Sequence, residues 1–288
     1  MHRRTTSFIS TLCLLAGCAS PSIPHPGTPT PSPSVPVSLA VPPSTKTWAF
    51  NYASGIVSYQ ISRSAAIESE SDSGPHSQIS TNTTHESLKL ESAGDTVHFT
   101  ATIDSFSTTI QDSISRPQAT QGPIQVIGSF LNDSLLISSD SLTTKDCNPA
   151  KSALMTDLHN LFVRIPAQLT QGTNWRDSLE VMGCQGMIPT TTRTTRSYVA
   201  AGEATHQGYP VVLVQRVDTI SVHGEGSQKQ HRLVLDVTGT GTATYYLSPG
   251  EGHIVRLSTG QDLSLAITAS GRTYHFKQSS KQDFNLVR

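Results

Sequence analysis

Charge is scarce in this 288-residue chain: Asp, Glu, Lys and Arg make up 14% of it, against about 25% in an ordinary soluble domain. Its 20 basic and 21 acidic side chains leave a formal net charge of −1. With no basic stripe, the electrostatic footprint of a nucleic-acid binder is excluded. Aromatic residues are few, at 6% with two tryptophans. No apolar run approaches the roughly 20 residues of a spanning helix. The four cysteines include no Cys-x-x-Cys pair, which argues against a thioredoxin-type redox motif. Eleven histidines are present, but none form a His-Glu-x-x-His or His-x-His pair. No metal ligand set is therefore assigned, and only a site drawn from distant strands stays open. A Gly-x-Ser-x-Gly elbow, a phosphate loop and a dinucleotide fingerprint are all missing. No catalytic residue and no cofactor is assigned.

What is there begins at the amino terminus. His2, Arg3 and Arg4 form a short basic start, and the mostly apolar stretch from Phe8 to Ala16 follows. That order is the n-region and h-region of an export signal. The next residues, Leu15-Ala16-Gly17-Cys18, resemble the lipobox of bacterial lipoproteins. The resemblance implies cleavage before Cys18, a diacylglycerol on its thiol and an acylated new amino terminus. The alternative is that Cys18, like Cys13, is merely a signal-region cysteine and the cut lies elsewhere. One acyl chain holds a protein only marginally, whereas two or three on one residue hold it firmly to a bilayer. Ala19, where aspartate would retain a lipoprotein at the inner membrane, implies the outer membrane, facing the periplasm. Arg3-Arg4 matches a twin-arginine signal poorly, because no apolar residue follows closely.

Residues 21–45, "PSIPHPGTPTPSPSVPVSLAVPPST", are dominated by Pro, Ser and Thr. Such a stretch has little apolar mass for a core and is expected to stay extended. Its reach is on the order of 75 Å. The chain thus divides into a signal peptide at 1–17, a lipidated cysteine and tether at 18–45, and a body at 46–288. A proline-rich ligand is the other reading of the tether. Losing the signal removes two arginines and leaves the mature chain mildly acidic. Export makes the two body cysteines, Cys147 and Cys184, an expected disulfide. It would close a loop worth roughly 3–4 kcal/mol in the chain-entropy picture.

The body alternates with period two, the signature of half-buried strands. In "ESLKLESAGDTVHFTATI" a turn at Ser92–Asp95 places Leu90 opposite Val97 and Leu88 opposite Phe99. Lys89, Glu91, Thr96 and His98 then share the polar face. "TATYYLSPGEGHIVRL" reads as a second hairpin turning at Pro249-Gly250. "PVVLVQRVDTISV", "HRLVLDVTGTG" and "DLSLAITAS" read as further strands. One segment has helical spacing instead. Asn148 suits an N-cap, Pro149 the first helical position, and Leu154, Leu158, Leu161, Phe162 and Ile165 recur on one face up to Pro166. The expected fold is mainly β: a curved antiparallel sheet, half-barrel or sandwich-like, with one central amphipathic helix on its concave face.

"LFVRIPAQL", "TQGTNWRDSL", "YVAAGEATHQGYPVVLVQRV" and "GTGTATYYLSPGEGHIVRL" resemble a loose class of uncharacterised β-rich bacterial envelope lipoproteins, over roughly residues 155–260. The architecture is similar to the half-barrel of lipoprotein carriers such as LolA, LolB and LppX-like proteins. That likeness implies an apolar ligand or partner protein on the curved sheet, but a fold does not establish a function. Trp175, Leu154, Leu158, Phe162 and Tyr245 are pocket or core candidates, with Trp48 and Tyr246 beside them. Asp72-Ser73-Gly74 matches the aspartic-protease triplet, but "ESES" before it is no buried strand, so a solvated loop is expected. His206, His223 and His253 fall near glycines and read as turn residues. The glycines of "TGTGTATYY" read as sites of close backbone packing. The expected function is a non-catalytic, membrane-anchored envelope protein whose partners are the bilayer and an apolar ligand or envelope protein. A purely structural assembly protein is the alternative. An open apolar cavity under the helix would favour carriage, and a tightly packed helix would count against it.

Overall fold

The computed structural model describes residues 46–71, 74–110, 124–131, 134–138, 149–185, 188–228 and 231–287. The signal peptide, Cys18 and the tether lie outside them, as do Asp72, Ser73, Cys147 and Asn148. The described chain forms one 11-stranded antiparallel sheet, curled into a half-barrel, and one helix. The expected class holds, and the sandwich-like variant gives way to a single sheet.

Chain order explains the shape. Strands β1 (Gly55–Ser71), β2 (Gly74–Ala93), β3 (Thr96–Ile110), β4 (Ile124–Leu131) and β5 (Ser134–Ile137) meander toward one edge. Helix α1 (Pro149–Leu161) follows. Strands β6 (Asn174–Gln185), β7 (Ile188–His206), β8 (Tyr209–Gln228), β9 (His231–Ser248), β10 (His253–Ala269) and β11 (Arg272–Val287) return from the opposite edge. β11 then pairs with β1, closing the two meanders into one sheet. Because α1 joins an edge strand to the opposite edge strand, it must cross the concavity. It touches β4 on one side and β6 on the other.

The strands are long. At about 3.3 Å per residue, the 20 residues of β8 span roughly 65 Å. Bulges near Glu86, Gly202 and Val255 break the register in three ladders, and bulges bend a strand and increase its twist. The glycine run of β9 works by close approach. A Cβ on Gly239 would lie 2.2 Å from the Asp262 carbonyl oxygen, and one on Gly241 would lie 3.1 Å from the Asp218 carboxylate.

Three expectations need correction. Leu90 pairs with Phe99 and Leu88 with Ala101, a slip of two residues from the expected register. The loop is the two residues Gly94 and Asp95, with Gly94 at φ 61°, rather than four. A slip of two keeps every side chain on its face, so Leu88, Leu90, Val97 and Phe99 are buried as expected. The helix stops at Leu161, short of Pro166. The Tyr52 hydroxyl donates to the Leu161 carbonyl at 2.8 Å and accepts from the Val163 N–H at 3.1 Å, so a side chain from outside the helix ends it. His223 lies in strand β8 facing Asp236, not in a turn. His206 and His253, by contrast, flank turns.

Candidate functional site

The helix has two buried faces, and they meet different surroundings. Leu154, Met155, Leu158 and Leu161 point into the main apolar core with Phe99, Phe130 and Tyr245. Phe162, just past the helix, stacks on Phe99 with ring centroids 4.9 Å apart. On the other face Asp157 and Asn160 are buried polar residues. They meet a polar belt that crosses the concave face of the sheet. Its rung runs by register from Tyr198 and Arg216 through Ala243, Thr259 and Gln282 to Arg63 and Asn82.

On the β1 side, the Arg63 guanidinium donates to the Asp157 carboxylate and to Thr84 Oγ1 at 2.7 Å. Gln282 Nε2 donates to the other Asp157 oxygen at 2.5 Å. Glu86 of β2 lies 3.6 Å from Arg63 and is 0% exposed. Neither Glu86 oxygen accepts a hydrogen bond from a protein donor. Burial first, and Asp157 beside it second, push the Glu86 carboxyl up to about 10, so it keeps its proton at neutral pH. Burial also raises Asp157, against the pull of Arg63.

On the β7 side, Arg196 forms a two-pronged bridge to Asp177, at 2.6 and 2.8 Å, and donates to the His159 carbonyl of α1 at 3.0 Å. Arg216 holds Asp218 and donates to the Asn160 side chain of α1 at 3.1 Å and to the Tyr245 hydroxyl. Burial, then Arg196, pushes His159 down to about 4, so this imidazole is neutral. Both ends of the belt therefore grip the helix.

Of the sequence candidates, Leu154, Leu158, Phe162 and Tyr245 lie together in the core. Trp175 is half-buried on β6, stacked on Tyr198 at 5.0 Å and donating to the Arg164 carbonyl at 2.8 Å. Trp48 is buried, and its indole N–H donates to Glu203 at 2.8 Å. Cys184 sits on β6 with its N–H donating to Ser152 Oγ in the first part of α1, at 3.2 Å. Sequence reasoning missed the belt itself. Its signal was there: Arg63 is in phase with Ile61, Glu86 with Leu88, Arg196 with Tyr198, and Arg216 with Val214.

A small void lies under one end of the helix. The void between its carboxyl end and the sheet, lined by Tyr52, Tyr59, Leu88 and Phe162, holds about 10 Å³. A larger groove of about 250 Å³ lies over β1, β10 and β11, where Glu68, Asp262, Ser264 and Lys277 line it. Those four residues alternate with the inward set, which puts the groove on the convex, polar side. A transmembrane barrel needs an apolar belt on its outward face. β9 there carries Thr238, Thr240, Thr242 and Thr244, out of phase with buried Val237, Ala243 and Tyr245.

No family model and no curated protein matches the sequence. Three solved structures align over most of the chain. A protein with a YmcC-like fold from Bacteroides fragilis aligns at TM-score 0.27 and 10% identity, over 84% of this chain and 100% of that one. OccK2 (OpdF) of Pseudomonas aeruginosa aligns at TM-score 0.24 and 5% identity, over 82% and 99%. A protein from work on the asymmetric conductivity of engineered proteins aligns at TM-score 0.23 and 7% identity, over 81% and 100%. At these scores none of the three carries an argument about this chain.

Proposed function

We propose that this chain is a lipid-anchored protein of the bacterial cell envelope that acts by binding protein partners through its sheet, without catalysis and without carrying an apolar ligand under its helix. The observation that carries the reading is the helix seat. The void under its carboxyl end holds about 10 Å³, whereas sites for drug-sized ligands are roughly 300–1,000 Å³. Its polar face is tied down by Arg63, Arg196 and Arg216. A carrier must open that seat for every ligand, and opening it breaks the Arg63–Asp157 ion pair and leaves Asp157 without its cation, a break costing about 3–5 kcal/mol.

The address rests on the basic start, the apolar run and Leu15-Ala16-Gly17-Cys18 in that order. Cys18 carries the acyl chains, and Ala19 directs the protein to the outer membrane, facing the periplasm. Cys147 pairs with Cys184. In support, Ser152, five residues beyond Cys147, accepts a hydrogen bond from the Cys184 backbone N–H at 3.2 Å. The pair pins the start of α1 to β6.

Native mass spectrometry of the full chain, extracted gently from membranes, tests the reading. The expected mass is that of the acylated protein alone; a non-covalent lipid retained by the body would overturn it. Cys18→Ala is expected to leave the membrane fraction, and full retention there would sink the anchor. Titration of the unfolded mature chain should find no free thiol; two free thiols would rule out the bridge.

A further inference from the structure

β6 ends the sheet on one side, and no described strand pairs with its outer edge. Two observations fix which of its backbone groups face outward. The Cys184 N–H is taken by Ser152 Oγ of α1, so it points away from β7. Cys184 also stands opposite Pro189, which has no N–H to exchange. Antiparallel pairs alternate between bonded and non-bonded positions. Positions 174, 176, 178, 180 and 182 therefore share the orientation of 184. They present N–H and C=O groups to the open edge, and among the described residues the helix caps the 184 end.

The side chains at the same positions face solvent: Asn174, Arg176, Ser178, Glu180 and Met182 are all exposed. Arg176 and Glu180 flank Ser178 symmetrically. Glu180 is held by Arg193 of β7 at 2.7 Å. Arg176 makes no such pair among the described residues. An open edge with unpaired groups is a template for another strand.

We propose that β6 pairs antiparallel with β6 of a second copy of this chain, about a two-fold axis through Ser178. Only registers that set even positions against even positions join the outward-facing groups. Centring on Arg176 or on Glu180 places that charge against itself. Centring on Ser178 places Arg176 against Glu180 of the second copy and, by symmetry, Glu180 against Arg176, so both charges are matched. The interface is isologous, as closed dimers are. It also leaves each helix in its seat and extends the sheet from 11 to 22 strands. The inference rests on the assembly reading above by naming its partner. The two fail separately: a lipid in the body overturns that reading, whereas the edge is judged only by the experiment below.

The test is a Ser178→Cys variant of the full chain, oxidised with copper phenanthroline in intact membranes and run without reductant. A covalent dimer is expected, with wild type staying monomeric under the same treatment. Asn174→Cys and Met182→Cys should cross-link far less, because each opposes the other rather than itself. Arg176→Glu should weaken the detergent-solubilised dimer, measured by sedimentation, roughly 10- to 30-fold, and Arg176→Glu with Glu180→Arg should restore it. Ser178→Pro removes an edge N–H without touching the β7 ladder and should leave a folded monomer. No dimer from Ser178→Cys, equal cross-linking at all three positions, or a dimer indifferent to both the charge swap and the proline would overturn the proposal.

Discussion

The concave face is covered in two different ways along its length. At one end the apolar rows of β1, β2, β3, β9, β10 and β11 lie under α1, and Ile61, Leu88, Leu158, Tyr245 and Phe284 are fully enclosed. At the other end a second cluster, Ile188, Leu233, Leu235, Val237, Leu265 and Ile267, has no helix among the described residues over it. There the sheet covers itself. The start of β7 folds so close that a Cβ on Gly224 would lie 2.7 Å from the Pro189 carbonyl oxygen. Between the two ends runs the polar belt. The same period-two alternation thus produces a rigid, plugged end and a lighter end held by strand curl. Among the described residues, buried charge sits where the helix must be oriented, since apolar contacts alone do not fix how a helix is rotated on a sheet.

Five substitutions test this division. Among the largest effects is that of Arg216→Ala, which leaves Asp218 buried without its partner. Loss of about 3–5 kcal/mol is predicted, read by urea denaturation. Leu158→Ala should cost about 4–5 kcal/mol, the upper part of the range for a fully enclosed leucine, whereas Leu265→Ala at the lighter end should cost nearer 2. Equal losses would erase the distinction. Glu86→Gln tests the belt by pH. The folded-state pKa of Glu86 lies above its unfolded value, about 10 against 4.5. Its stabilising contribution is therefore complete below about pH 4.5 and is lost as pH rises toward 10. Wild-type stability should fall with a slope of at most about 1.4 kcal/mol per pH unit between pH 6 and 9. The glutamine variant should flatten that slope and be the more stable protein at pH 8. The smallest change is expected at the surface of β8. His223→Ala removes an exposed pair with Asp236 and should move the melting midpoint by no more than a degree or two, within about 0.5 kcal/mol.

Much of this fold can be read in the chain, for reasons that also mark where reading stops. Alternation assigns faces, so Leu88, Leu90, Val97 and Phe99 fall on the buried side even with the register two residues out. It cannot choose between registers of equal parity; the tight turn at Gly94-Asp95 does that. Spacing finds the helix, but Tyr52, more than 100 residues away in sequence from Leu161, decides where it ends. The pairing of β1 with β11 joins opposite ends of the body and leaves no local trace. The charged belt was legible in principle, because Arg63, Glu86, Arg196 and Arg216 occupy strand positions in phase with apolar neighbours. A charge in phase with a core face is a local conflict, and such conflicts mark places where a fold is specified or used. Which charges face one another depends on the curl of the sheet, and that depends on glycines and bulges acting together.

Hydrogen exchange on the full chain, followed for the amides of Leu154 to Leu161, decides whether the helix is a fixed plug or a lid. The prediction is that these amides exchange only through global unfolding, with an opening free energy equal to that from denaturation. Exchange through a low-energy local opening, while the β9 and β10 amides stay protected, would make α1 a movable cover. That result would contradict the seat described here and return the carrier reading to first place.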